Sequence, residues 1–363
     1  MATIRVLAED DVPAVAALFR RVYPDQRWTS PAACESYIRE PLFNNPWCDF
    51  QLPSWVAEEN GRIAGFYGVM PRWMTLRGRP LRAAVACHYM VDPDCRNGLM
   101  ALQLAQACLS GPQDLTIADG ASDMSRRLWI GIGGAVPLLY SLHWTRPLLP
   151  ARFALSLLEK RSALPRALTL AARPLGDLAD ALATRLRPNR FYRENREGAD
   201  DALDPATVLA HLPEVLRGSA LQPVYSERML ACLLERTARK ARHGTLRARA
   251  VRDGEQRVLG WYLYYAQPGG VGEVIQLAAR ESSCDRVLQR LLADAWQHGV
   301  AAVHGRLDPR FTQALSVRHC WLRTDGAWTL VHSRHADVLE AFQQGCAFLS
   351  RLEGEWWLEF FRD

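Results

Sequence analysis

The sequence contains no C-x-x-C pair, and its nine cysteines are scattered from Cys34 to Cys346 and odd in number. That spacing excludes a zinc ribbon and argues against a disulfide framework. Most of the cysteines fall in apolar periodic stretches, where cysteine behaves as a small hydrophobe. No apolar run reaches the roughly 18–20 residues of a membrane span. The opening "MATIRVLAEDD" lacks the apolar core of a signal peptide, so a cytoplasmic protein with reduced thiols is expected. Walker, H-E-x-x-H and G-x-S-x-G motifs are all missing. "GIGG" at 131–134 follows no strand and lacks the third glycine of a dinucleotide fingerprint. His332 and His335 have no further ligands near them in sequence, so no metal site is expected.

What is present is a chain of 363 residues, 49% hydrophobic, which is long enough for two folded domains. The net charge of +5 is unevenly placed. Residues 151–190 hold eight basic side chains against three acids, an excess equal to that of the whole chain.

Residues 3–8 alternate as a short strand, and Asp10 or Asp11 opens a helix that Pro24 ends. Ser30 and Pro31 start a second helix running to about Phe43. Residues 54–91 read as consecutive strands turned at Asn60-Gly61 and Arg77-Gly78. A helix to Leu109, a strand "LTIAD", a helix near 122–131 and a strand "PLLYSLHWTRPL" complete the first half. Residues 151–200 read as a basic helical insert broken by Pro165 and Pro174. Two helices follow, around 205–217 and 226–242, and then the first pattern returns. Gly65-Phe66-Tyr67 and Gly260-Trp261-Tyr262 are counterparts, and "WLRTDGAWTLVHS" is expected to close the second sheet as a hairpin. The reading is an internal duplication of a mixed α/β (α+β) domain, each copy a mostly antiparallel sheet flanked by helices.

This element order resembles the GNAT acyltransferase superfamily, and the junction "VDPDCRNGLMA" carries the resemblance. The family's pyrophosphate turn reads Arg/Gln-x-x-Gly-x-Gly/Ala after a strand that often ends Val-x-Pro. Val91-Asp92-Pro93 matches that lead-in, Arg96 takes the first motif position and Ala101 the last. Gly98 stands one residue early, with Leu99 in the usual glycine place. The resemblance implies that residues 1–150 form an acyl-CoA-binding domain and 201–363 a degenerate copy. It assigns donor binding to Val91, Arg96, Asn97, Gly98, Leu99, Met100 and Ala101. Independently of any family, a helix N-terminus attracts phosphate through its unpaired N–H groups, glycine admits close approach, and an arginine adds a charge-assisted contact. The alternative at this junction is a plain turn with a solvated Arg96. The second half offers "AARESSCDRVLQRLL" instead, with two acids and no glycine.

Acyl transfer to an amine needs a base and donors for the carbonyl oxygen. Family members often place a carboxylate on the strand before the turn and a tyrosine on a later helix. Here that strand, "RAAVACHYMV", offers only His88 and Tyr89 as proton-handling groups, and the tyrosine position falls on Leu128 or Trp129. His88 is read either as the base or as a core histidine. Asp119, Tyr140 and, in the second half, Glu273 are the further candidates; Glu273 would act by reaching a shared cleft. Trp28 and Trp47 lie in loops and are expected near an acceptor.

The expected function is transfer of an acyl group from acyl-CoA, or from a carrier-protein thioester, to an amine. Alternatives are an aminoacyl-tRNA-dependent peptidyltransferase-like enzyme and a non-catalytic binding or scaffold protein of the same fold. Residues 151–190 suit a solvated face, an anionic membrane surface or an acidic acyl carrier protein. Nucleic acid fits less well, because the charge is moderate and no binding motif accompanies it.

Overall fold

A computed structural model of the chain describes residues 2–26, 28–95, 99–160, 174–176, 178–182 and 200–355. In chain order its strands begin with β1 (Thr3–Val6), β2 (Trp55–Glu59), β3 (Arg62–Leu76), β4 (Arg79–Val91) and β5 (Leu115–Ala121). Next come β6 (Leu142–Pro147), β7 (Asp200–Ala202), β8 (Leu221–Pro223), β9 (Thr245–Arg252) and β10 (Val258–Ala266). The last four are β11 (Val271–Ala279), β12 (Ala302–Arg306), β13 (Trp321–Thr324) and β14 (Trp328–His332). Helices α1 (Val12–Val22), α2 (Pro31–Leu42) and α3 (Leu99–Leu109) belong to the first half.

Local chemistry explains the expected elements. The Ser30 side chain accepts the Ala33 N–H at 3.1 Å and Pro31 occupies the first turn of α2. Asn60-Gly61 and Arg77-Gly78 all have positive φ, as a two-residue hairpin turn of the right twist requires. On α1, Val12, Val15, Ala16, Leu18 and Phe19 are buried, the spacing of one helical face.

The chain divides into two compact units. The first comprises Met1–Ser141, Ser219–Arg236 and the described residues from Asp325 on. Its sheet runs β1-β2-β3-β4-β5-β14, with β8 added on β3. Among the described strands of this sheet β4 and β5 are the parallel pair, joined through α3, which packs Met100, Leu104, Ala105 and Cys108 on the sheet. The second unit comprises Leu142–Gly218 and Thr237–Thr324, with sheet order β13-β6-β12-β11-β10-β9-β7. Here β11 and β12 form the parallel pair, joined through the helix Cys284–Gln297. Both units thus contain antiparallel strands leading into one βαβ segment.

Two features differ from the sequence expectation. β6 pairs with β12 and β13 in the second unit, although it comes from the first half. β14 pairs with β5 in the first unit, although it comes from the second half. The expected hairpin at 321–333 is therefore two strands in two sheets, and the chain turns between them at Gly326, where φ is +78°. The units are discontinuous in sequence, unlike the contiguous divisions 1–150, 151–200 and 201–363. Period-two alternation marks a strand but does not name its partner. Of the basic insert, the helix Pro150–Lys160 and short helical stretches at 174–176 and 178–182 are described. Most of its arginines lie outside the described residues.

Candidate acyl-transfer site

The site builds from the place where β4 and β5 part. Their pairing runs Ala83–Leu115, Ala84–Thr116 and Val85–Ile117, and among the described residues goes no further, although β4 continues to Val91 and β5 to Ala121. Beyond Val85 that edge of β4 is past the end of its pairing with β5. On its other edge β4 bulges: Phe66 opposes Met90 but Gly68 opposes Cys87, so His88 and Tyr89 together face one residue of β3. His88 takes φ +46°, uncommon for a side-chain-bearing residue inside a strand.

The bulge aims the His88 ring at α1 and α2. Its Nε2 lies 2.9 Å from the Tyr37 hydroxyl, and its ring packs edge-on against Phe19 at 5.3 Å. Trp28 completes this aromatic group, 5.0 Å from Tyr37. Tyr89 is committed elsewhere: its hydroxyl donates to the Ala101 carbonyl at 2.7 Å, tying β4 to α3, and burial holds its pKa above the usual tyrosine range.

Val91 closes β4 opposite Gly65. Asp92 follows, fully buried, with Arg21 Nη2 at 2.9 Å, Arg62 Nη2 at 3.5 Å and the Asp94 N–H at 3.1 Å. Burial alone would raise its pKa, but the Asp94 N–H and the arginines outweigh that and hold it below the usual carboxylate range. Asp92 thereby anchors the start of the turn. Arg96, Asn97 and Gly98 lie outside the described residues. Of the first α3 residues, Leu99 is exposed, Met100 is buried and Ala101 half-buried.

Asp119 lies on β5 beyond the last residue paired with β4, 5% exposed, and its Oδ1 accepts the Glu355 N–H at 2.8 Å. Gly354 packs so tightly on this carboxylate that a Cβ there would overlap it. The chain at residues 354–355 therefore covers the Asp119 carboxylate. Tyr140 is buried away from solvent; its hydroxyl donates to the Ala347 carbonyl at 2.7 Å and accepts the Ala347 N–H at 2.9 Å. Glu273 belongs to the second unit, on β11, with His304 Nε2 4.0 Å away.

Three residues escaped the sequence reading. Arg72 on β3 is 5% exposed, and its guanidinium stacks over Trp47 at 4.5 Å. Burial pushes Arg72 down to about 10, with the Glu353 carboxylate opposing the shift. Buried Glu353 accepts the Tyr225 hydroxyl and, at 2.6 Å, the Ser350 N–H, while its burial raises its pKa. An arginine in the apolar run "GVMPRWMTL" was the available signal for the first; Glu353 and Tyr225 carried none. Among the described residues no cluster of three or more His, Cys, Asp or Glu could hold a metal ion, and no helix is long and apolar enough to cross a membrane.

Residues 3–111 match the family model described as acetyltransferase (GNAT) domain. The fold is similar to a conserved protein of Enterococcus faecalis V583 designated a probable N-acyltransferase, at 8% identity and TM-score 0.58, covering 95% of this chain and 74% of that one. It is similar to a GCN5-related N-acetyltransferase from Kribbella flavida, at 13% identity and TM-score 0.58, covering 92% and 72%. A GCN5-related N-acetyltransferase from Anabaena variabilis ATCC 29413 aligns at 10% identity and TM-score 0.59, covering 94% and 75%. No curated protein matches the sequence. Residues 3–111 therefore match a GNAT acetyltransferase domain, in a chain whose fold is similar to that of GCN5-related N-acetyltransferases.

Proposed function

We propose that the protein is an N-acyltransferase that moves an acyl group from acyl-CoA to an amine. The observation that carries this reading is the parting of β4 and β5 beyond Val85 and Ile117, beside the bulge at His88 and directly ahead of the turn into α3. A strand edge without a partner presents backbone N–H groups to the cleft, and such donors suit the oxygen of a thioester carbonyl as it becomes an oxyanion. The turn after Asp92 leads into a helix N-terminus, which favours the pyrophosphate of CoA.

In this reading the amine attacks the thioester carbon, the C–N bond forms and the C–S bond breaks. His88 takes the proton released by the attacking nitrogen, with Tyr37 orienting its ring through Nε2. Asp119 is the second proton-handling group of the cleft. Tyr89 and Tyr140 serve packing and not proton transfer, because both hydroxyls already donate to backbone carbonyls.

Calorimetric titration with acetyl-, medium- and long-chain acyl-CoA tests the donor, using wild type and Arg96→Ala. The expected result is micromolar binding that the substitution weakens about tenfold. Failure of every acyl-CoA to bind would sink the reading and favour a carrier-protein thioester, aminoacyl-tRNA or a non-catalytic role.

A further inference from the structure

At the root of the cleft, Val85 and Ile117, the last paired residues of β4 and β5, line a small cavity together with Arg72, Tyr225, Met229 and Glu353. The space admits a group of about water size. Trp73 and Val224 also line it and are the lining residues that solvent reaches. Arg72 Nη1 donates to the Pro71 carbonyl at 3.0 Å. Its Nε and Nη2, both buried, have no hydrogen-bond partner among the described residues.

Those two nitrogens are the pair that grips a carboxylate side-on. Elsewhere in this chain Arg247 uses Nε and Nη2, at 3.2 and 2.8 Å, to hold both oxygens of Asp294. Arg318 does the same to Asp285 at 2.9 and 2.7 Å. At Arg72 the nearby carboxylate is Glu353, whose oxygens accept from Tyr225 and from the Ser350 N–H instead. Arg236, also over the Trp47 ring at 5.5 Å, is ion-paired with Glu40 at 3.2 Å. A buried, stacked guanidinium with its two-pronged edge unmatched is costly in stability and suited to binding a planar anion.

We propose that Arg72 binds the carboxylate of the acyl acceptor, making that acceptor an amino carboxylic acid. The inference deepens the acyltransferase reading and rests on it for the word acceptor. The space as it stands is about water-sized, so the carboxylate reaches the Nε–Nη2 edge of Arg72 as the exposed Trp73 and Val224 shift aside, and the amine extends toward the parting of β4 and β5. Recognition is by charge and by two parallel hydrogen bonds, so a carboxamide, which offers one oxygen and a competing NH2, is refused.

The test uses the full chain, with the common L-amino acids, β-alanine and γ-aminobutyrate as probes, each beside its carboxamide. Thermal shift reads binding without acyl-CoA, and thiol release from acetyl-CoA reads turnover. At least one acid is expected to raise the melting temperature while its carboxamide does not. Arg72→Met, which exchanges a buried charge for an apolar chain and is expected to fold, should weaken that acid about tenfold or more. Arg72→Lys, which keeps the charge without the fork, should lose most of the same discrimination. The inference is overturned if no acid binds, if acid and carboxamide bind or turn over equally, or if Arg72→Met binds the acid as tightly as wild type. Acid-selective binding that depends on Arg72, without turnover, would uphold the carboxylate site and defeat the acyltransferase reading.

Discussion

His88 combines a left-handed backbone, a bulge and a hydrogen bond to Tyr37 at one position. Asparagine tolerates φ +46° well but cannot take a proton at neutral pH, so His88→Asn separates shape from chemistry. The expected outcome is a folded protein whose kcat/KM falls about a hundredfold, measured by thiol release; unchanged turnover would remove His88 from the mechanism. Glu353 makes a pH prediction. Burial raises its folded-state pKa, so its contribution to stability is complete below the ordinary carboxylate value and is lost as pH rises through the raised one. Glu353→Gln removes that loss. The difference in melting temperature, variant minus wild type, is therefore expected to be larger at pH 8 than at pH 4, and a pH-independent difference would show that Glu353 ionises without cost.

Two glycines that look equivalent in sequence meet different neighbours. A Cβ on Gly65 would approach Leu104 Cδ1 at 2.6 Å, the end of a side chain that can move. A Cβ on Gly260 would overlap the Ala278 carbonyl and the Ala279 backbone of the paired strand β11, which cannot. Gly260→Ala is expected to cost about 3 kcal/mol and Gly65→Ala about 1 kcal/mol, read from denaturant midpoints. Asp92 joins α1 through Arg21 and β3 through Arg62 to the end of β4. Asp92→Asn is expected to cost about 2 kcal/mol, since it leaves two arginines without their carboxylate, and to raise the KM for acyl-CoA by loosening the approach to α3. Unchanged KM at reduced stability would confine Asp92 to a structural role.

At the scale of the molecule, each sheet takes strands from the other half of the chain: β6 in the second unit, β8 and β14 in the first. A fragment of residues 1–150 lacks β14, whose Leu330 and Val331 are buried against the first unit's cores, and lacks β8 and the chain at 347 that Tyr140 holds. That fragment is expected to be insoluble or to show no cooperative thermal transition, despite covering the whole segment matched by the acetyltransferase model. A cooperative transition from it would show that the exchanged strands are dispensable.

What the sequence by itself determined is local. Asn60-Gly61 and Arg77-Gly78 turn the hairpins because their backbones accept positive φ, and Ser30-Pro31 starts α2 because its chemistry satisfies a helix end. The βαβ order around Val91-Asp92-Pro93 follows from the same punctuation, which puts His88 and Asp119 on the two strands that flank α3. Only the tertiary structure decided which sheet β6 and β14 join, that Tyr89 and Tyr140 spend their hydroxyls on backbone, and that Arg72 meets Tyr225 and Glu353. Alternation states that a strand has a buried face, not which edge it will meet. Tyr225 and Glu353 lie more than a hundred positions from Arg72, and no local pattern records that they meet it.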